Sequence, residues 1–135
     1  ILEHIADHMN KHGIWRIVVN LHMFPEVVMK HFGQRFLYLY EPVPMGEFAT
    51  VSLVKARFPY ESLLVMNGDT LTNLDLTKLP QFGSYRIISK KTGRHMGTTV
   101  FSHRESDSLG KLTLDCEYFD CGTLKKLALA RKVYA

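Results

Sequence analysis

The run Ser62-Leu63-Leu64-Val65-Met66 is apolar at consecutive rather than alternate positions, which suits a strand covered on both faces, and it leads straight into Asn67-Gly68-Asp69. A carboxylate at the C-terminal edge of such a strand stands where open α/β sheets bind ligands. A second acid lies in Tyr118-Phe119-Asp120-Cys121-Gly122-Thr123, after another apolar stretch and at the opening of a helix. The two carboxylates can therefore converge on one hard cation such as Mg²⁺. Each acid alone also has a plainer reading, because Asp after Asn-Gly is common in turns and Asp ahead of Gly-Thr is an ordinary helix-entry residue.

The rest of the chain alternates helix and strand patterns. Leu2, Ile5, Ala6 and Met9 fall at helical spacing within 1–12, and Gly13 supplies a left-handed stop. Trp15 to Asn20 reads as a strand covered on both faces, Pro25 to Phe32-Gly33 as a short helix, and Phe36 to Tyr40 as a further strand. Glu47 to Arg57 reads as a helix presenting Phe48, Val51, Leu53 and Val54 inward. Strands separated by helices imply parallel crossovers. After Asp69 the character changes: Tyr85 to Ser89, a Lys91-Thr92-Gly93 turn, Thr98 to Phe101 and Lys111 to Phe119 read as strands without intervening helices, followed by a helix over Leu124 to Lys132. A mixed, mostly parallel sheet in a single α/β domain over 1–135 is the expectation, with the late strands at its margin.

With 135 residues and 46% hydrophobic content the chain can bury a core of its own. It has no apolar stretch long enough to cross a bilayer, so a cytoplasmic protein without a membrane partner is expected. The net charge of +4 suits a polyanionic ligand. Nucleic acid is not the expected partner, since Lys90, Lys91, Arg94 and His95 form only a short cluster. Lys125, Lys126, Arg131 and Lys132 read as the solvated face and cationic end of the last helix. Cys116 and Cys121 fit no common zinc spacing and read as buried or incidental thiols that do not pair. His4, His8 and His12 share one side of the first helix and read as a solvated or interface stripe, because a metal site would need further ligands. Asn20-Leu21-His22 reads as a capped strand end.

Several blocks, taken in order, resemble the sugar-1-phosphate nucleotidyltransferase family. Leu2-Glu3-His4-Ile5 through Lys11-His12-Gly13-Ile14, Ile17-Val18-Val19-Asn20-Leu21-His22 and Pro25-Glu26-Val27-Val28 resemble its helix, strand and helix after the first loop. Tyr38-Leu39-Tyr40-Glu41 with Pro44-Met45-Gly46 resembles the Y-x-x-E…P-L-G-T segment, and Leu64-Val65-Met66-Asn67-Gly68-Asp69 the metal-binding strand end. Phe119-Asp120-Cys121-Gly122-Thr123-Leu124 resembles the F-D-x-G-T-P block, with Leu124 in place of proline. The resemblance implies a Rossmann-like three-layer fold and a transfer of a nucleotidyl group from a nucleoside triphosphate to a sugar 1-phosphate. It also implies that Asp69 and Asp120 are the catalytic acids holding Mg²⁺.

Gly46, Glu47 and Gly68 are the candidate nucleotide-contacting positions; Gly46 allows close backbone approach and Glu47 opens a helix. In the family the segment after this glycine contacts the nucleobase, and the usual Thr-Ala-Gly is Glu47-Phe48-Ala49 here. The family's G-x-G-T-R…P-K loop is not among these residues, and the stretch between Asp69 and Asp120 is shorter than the family's sugar-binding region. That loop supplies cations to the transferred phosphate, so these 135 residues alone are expected to be nearly inactive. The competing expectation is a non-catalytic nucleotide- or sugar-binding domain of the same ancestry. An exposed late strand offers an edge through which copies of the chain could pair as a homo-oligomer.

Overall fold

The computed structural model describes residues 1–104 and 108–134. The first half alternates as the spacing predicts. Helix α1 spans Leu2–Lys11, strand β1 Val18–Leu21, helix α2 Pro25–Phe32, strand β2 Leu37–Tyr40 and helix α3 Glu47–Arg57. Ile5, Ala6 and Met9 form the buried stripe of α1, and Gly13 ends it at φ +80°, a conformation a side chain resists. β1 is shorter than its apolar run, and Trp15 lies outside it with 71% of its surface exposed. In α3 only Val51 is buried, while Phe48 and Leu53 face outward, so the inward face is narrower than the sequence suggested.

The second half is built of short strands. β3 spans Leu63–Met66, β4 Thr70–Thr72, β5 Ser84–Ser89, β6 His95–Phe101, β7 Leu109–Leu114 and β8 Tyr118–Asp120, and helix α4 spans Leu124–Tyr134. Among the described residues the strands form three sheets: β1-β2, the four-stranded β3-β6-β5-β7, and β4-β8. The α/β class and the mixed pairing hold. The parallel share is smaller than expected, because only β1 with β2 and β5 with β7 run parallel while the other three pairings are antiparallel. Only β5 and β6 are a hairpin of consecutive strands, whereas β3 with β6 and β4 with β8 pair across intervening strands, and β5 with β7 is a parallel pair that spans β6 rather than a helix. β7 lies at the margin of its sheet, as expected of a late strand.

Two apolar clusters hold these pieces together. One gathers Leu74, Leu76, Tyr85, Ile87, Met96, Val100 and Cys116 around the β5-β6 pair. Ile87 is completely buried, a burial that contributes roughly 1.5–3 kcal/mol for a side chain of its size. The other gathers Ile5 and Met9 of α1, Leu71 of β4, Cys121 and Ala130 of α4. Cys116 and Cys121 thus belong to different clusters, both as free buried thiols, which is the unpaired state the spacing predicts. The second cluster matters most for the site, since Leu71 and Cys121 follow closely on Asp69 and Asp120.

Candidate functional site: two carboxylates facing one glycine

β4 and β8 bring the two acids together. Their antiparallel register pairs Thr70 with Asp120, Leu71 with Phe119 and Thr72 with Tyr118. Just beyond the ladder the Cys121 amide donates to the Asp69 carbonyl at 2.6 Å, so the backbone pairing continues to Asp69 itself. Asp69 lies three residues after β3, in the turn entering β4, and Asp120 is the last residue of β8. The helix that Asp120 was expected to open begins four residues later, at Leu124.

Each carboxylate is held by one oxygen or both. Asp69 Oδ1 accepts from the Thr70 hydroxyl at 3.2 Å. Asp120 Oδ1 accepts from the Gly122 amide at 2.8 Å, and Oδ2 from Lys126 Nζ at 2.5 Å. A Cβ added to Gly122 would stand 3.1 Å from Asp120 Oδ1 and 3.1 Å from Asp69 Oδ2. These two oxygens therefore face the same small volume, kept clear by a residue without a side chain. The Lys126 ammonium, first, and the Gly122 amide, second, hold the Asp120 carboxyl below its ordinary pKa, so it is ionised at neutral pH.

The donor set suits a hard cation. Two carboxylates on exposed residues are the kind of ligands that Mg²⁺ takes from proteins when phosphate oxygens and water complete its octahedron. Among the described residues no group of three or more His, Cys, Asp and Glu side chains could by itself hold a metal ion. Two members of the histidine row are engaged within the chain. His8 Nε2 lies 2.8 Å from the Leu74 carbonyl, and His12 pairs with Asp75 at 3.6 Å, so both tie α1 to the loop after β4.

A second constellation surrounds Gly46. This glycine precedes α3 at φ +85°, and nothing lies within 4 Å of the place a Cβ would take, so its exposed backbone is open to close approach. Glu47 is the first residue of α3 and is exposed. The buried carboxylate of Glu41 binds residues on either side of them. Its Oε1 accepts from the Thr50 hydroxyl at 2.5 Å and from Asn20 Nδ2 at 3.4 Å, and its Oε2 from the Met45 amide at 3.3 Å. His22 Nδ1 lies 2.8 Å from the Glu41 carbonyl, so the Asn20-Leu21-His22 strand end is joined to the same hub. Gly68, by contrast, has ordinary φ and open space around it, and no geometry there requires glycine.

Sequence reasoning singled out Asp69, Asp120 and Gly46 as candidates but missed the residues that contact them. Glu41 closes the Tyr38-Leu39-Tyr40-Glu41 segment, whose pattern alone assigns it no role. Lys126 read as part of a solvated face, and while exposed it also pairs with Asp120. No periodicity signals a contact across the turn between β8 and α4. A cavity of about 550 Å³ also lies beside the site, between α1 and β4, lined by His4, His8, Lys11, Trp15, Met66 and Thr70 among others. Neither acid lines it.

No protein-family model matches the chain. A stretch of 83 residues, 58% of the chain, is 28% identical to a D-glycero-alpha-D-manno-heptose 1-phosphate guanylyltransferase from Aneurinibacillus thermoaerophilus, covering 36% of that protein. The protein of the same name from Campylobacter jejuni is 30% identical over 83 residues, 58% of this chain and 37% of its own. The chain thus matches little more than a third of the length of these curated relatives. In three dimensions it is similar to the crystal structure of HddC from Yersinia pseudotuberculosis complexed with GMP-PN, with a TM-score of 0.78 at 14% identity over 99% of this chain and 85% of that one. At that identity the likeness is one of fold. The chain is thus similar over part of its length to two heptose 1-phosphate guanylyltransferases and shares the fold of HddC, in keeping with the family its motifs resemble.

Proposed function

We propose that this chain carries the metal-binding end of a nucleotidyl-transfer site that joins a nucleoside triphosphate to a sugar 1-phosphate. The observation that carries this reading is the convergence of Asp69 Oδ2 and Asp120 Oδ1 on the space above Gly122. In the reaction an oxygen of the sugar phosphate forms a bond to the α-phosphorus, the bond from that phosphorus to the bridging oxygen breaks, and pyrophosphate leaves with the electron pair. All the reacting groups are anionic. Mg²⁺ is the proposed cofactor, and it would lower their mutual repulsion and stabilise charge on the leaving pyrophosphate.

The chain's own residues have separate tasks. Asp69 and Asp120 would hold the ion, and the Thr70 hydroxyl and Gly122 amide orient their oxygens. Gly46 and Glu47 at the start of α3 would contact the nucleotide, on a helix entry that Glu41 keeps fixed. The names of the curated relatives specify a guanylyl group and a heptose 1-phosphate, so GTP with a heptose 1-phosphate is the first substrate pair to try.

The test is pyrophosphate release across nucleoside triphosphates and sugar 1-phosphates, paired with calorimetric nucleotide binding with and without Mg²⁺. Asp69→Asn and Asp120→Asn should each abolish the Mg²⁺-dependent part of binding. Binding that is unchanged in both variants overturns the assigned roles. Mg²⁺-dependent binding without any turnover would favour a non-catalytic binding domain of the same ancestry.

A further inference from the structure

Asp120 shares its carboxylate between two neighbours on opposite sides. Oδ1, the oxygen that faces Asp69 across Gly122, takes the Gly122 amide, while Oδ2 takes Lys126 Nζ at 2.5 Å. The β4-β8 ladder fixes the backbone of Asp120 but not the rotation of its carboxylate, since the terminal torsion of an Asp side chain is broad. The Gly122 amide holds one oxygen of that carboxylate, and a contact on the other oxygen would fix the plane of the group with Oδ1 toward Asp69.

Lys126 is placed to do so because its helix is anchored. Thr123 accepts the Lys126 amide on its hydroxyl at 3.3 Å and the Leu127 amide on its carbonyl at 2.8 Å, which closes the first turn of α4. Ala130, one turn further, is buried in the same cluster as Cys121. Core packing thus sets the distance between the base of α4 and the end of β8, and the lysine stem spans it.

We propose that Lys126 is a positioning residue for the metal face of Asp120: by binding Oδ2 it turns Oδ1 toward Asp69 Oδ2. The proposal rests on the metal-site reading above. Two effects of the ammonium oppose each other. Its charge repels a divalent ion, but the pair is about half exposed and screened by water and salt. Its hydrogen bond orients a ligand carboxylate, and such supporting contacts typically change metal affinity by about ten- to a hundredfold. The orienting effect is the larger.

The experiment is a titration of the full protein with Mn²⁺ alone, followed by the electron paramagnetic resonance signal of the free ion. Lys126→Met should weaken Mn²⁺ binding by about tenfold. Lys126→Arg, which keeps a charged donor, should restore most of the loss. Lys125→Met, which removes the same charge from a lysine outside this pair, should leave binding near the wild-type value. Binding by Lys126→Met as tight as the wild type or tighter, while Asp69→Asn still abolishes it, overturns the positioning role and leaves the two-carboxylate site standing. A wild-type protein that takes up no Mn²⁺, or an Asp69→Asn variant that binds as well as wild type, overturns the site itself and the proposal with it.

Discussion

Asp69 Oδ2 and Asp120 Oδ1 are equidistant, at 3.1 Å, from the position a Cβ on Gly122 would take. Contacts of that length are tighter than most side chains tolerate, so Gly122→Ala must push at least one carboxylate aside. Gly122 does not have a positive φ, so the backbone itself accepts alanine. Gly122→Ala should therefore change unfolding free energy by no more than about 0.5 kcal/mol, as for other exposed substitutions, while weakening divalent-metal binding. A denaturant titration alongside a Mn²⁺ titration separates the two, and metal binding that is unaffected by the methyl group would show that the oxygens do not act together.

Glu41 illustrates a carboxylate whose role is support. It is only 4% exposed and receives donors from Thr50, Met45 and Asn20. The Thr50 hydroxyl, above all, holds its pKa below the ordinary value of 4.5. A depressed carboxyl pKa gives stability that is fully present above the unfolded value and is lost as pH falls through the folded one. The native protein should therefore lose this contribution only below about pH 4.5. Glu41→Gln should flatten that part of the acid unfolding profile. Glu41→Ala strands buried donors and should cost about 1–3 kcal/mol, with a parallel loss of nucleotide affinity as the Gly46 entry loosens.

His8 shifts in the same direction for a different reason. Burial, ahead of its other influences, holds its pKa below 6.5, although the Leu74 carbonyl pulls the other way. A histidine kept neutral by the fold supports stability at pH above its unfolded pKa, and that support is lost as pH falls through the folded value. Stability should therefore decline on going from about pH 7 to pH 5, before the carboxylates titrate. His8→Asn keeps a polar group near Leu74 and should show a shallower decline in the same window. An identical decline would assign the effect to other groups.

The elements that were legible from sequence are those whose signal is local. The start and end of α3 follow from Gly46 and the run to Arg57, and α1 from the spacing of Ile5, Ala6 and Met9. Gly68 and Asp69 mark a turn by composition alone. What could not be read was set by pairing at a distance. β4 is three residues long and exists because β8 lies opposite it, 45 or more residues later in the chain. The same holds for the Lys126 contact and for Glu41, whose partners come from three separate segments. The antiparallel pairings of β3 with β6 and of β4 with β8 have a similar origin, since each joins strands that are not consecutive in the chain.

Gly97 gives the most direct test of how the Asp69 turn is held. It lies within β6 at φ +71°, and its carbonyl accepts the Asn67 amide at 2.8 Å. A Cβ there would stand 2.7 Å from Asn67 Nδ2 and 2.9 Å from Asn67 Cγ, closer than side-chain atoms approach. Two penalties then add in Gly97→Ala. A left-handed backbone costs an alanine about 1–2 kcal/mol, and the Asn67 side chain must move or the strand must shift. The expected loss is roughly 2–3 kcal/mol in total, within the range for overpacking and strain. Because Asn67 stands two residues before Asp69, displacement of its side chain should also reduce Mg²⁺-dependent nucleotide binding at temperatures where the variant remains folded. Asn67→Ala removes the obstructing amide, so the double variant should recover part of the stability that Gly97→Ala loses. Full additivity of the two substitutions in chemical denaturation would mean that the glycine answers to backbone conformation alone and that the Asn67 side chain does not couple it to the site.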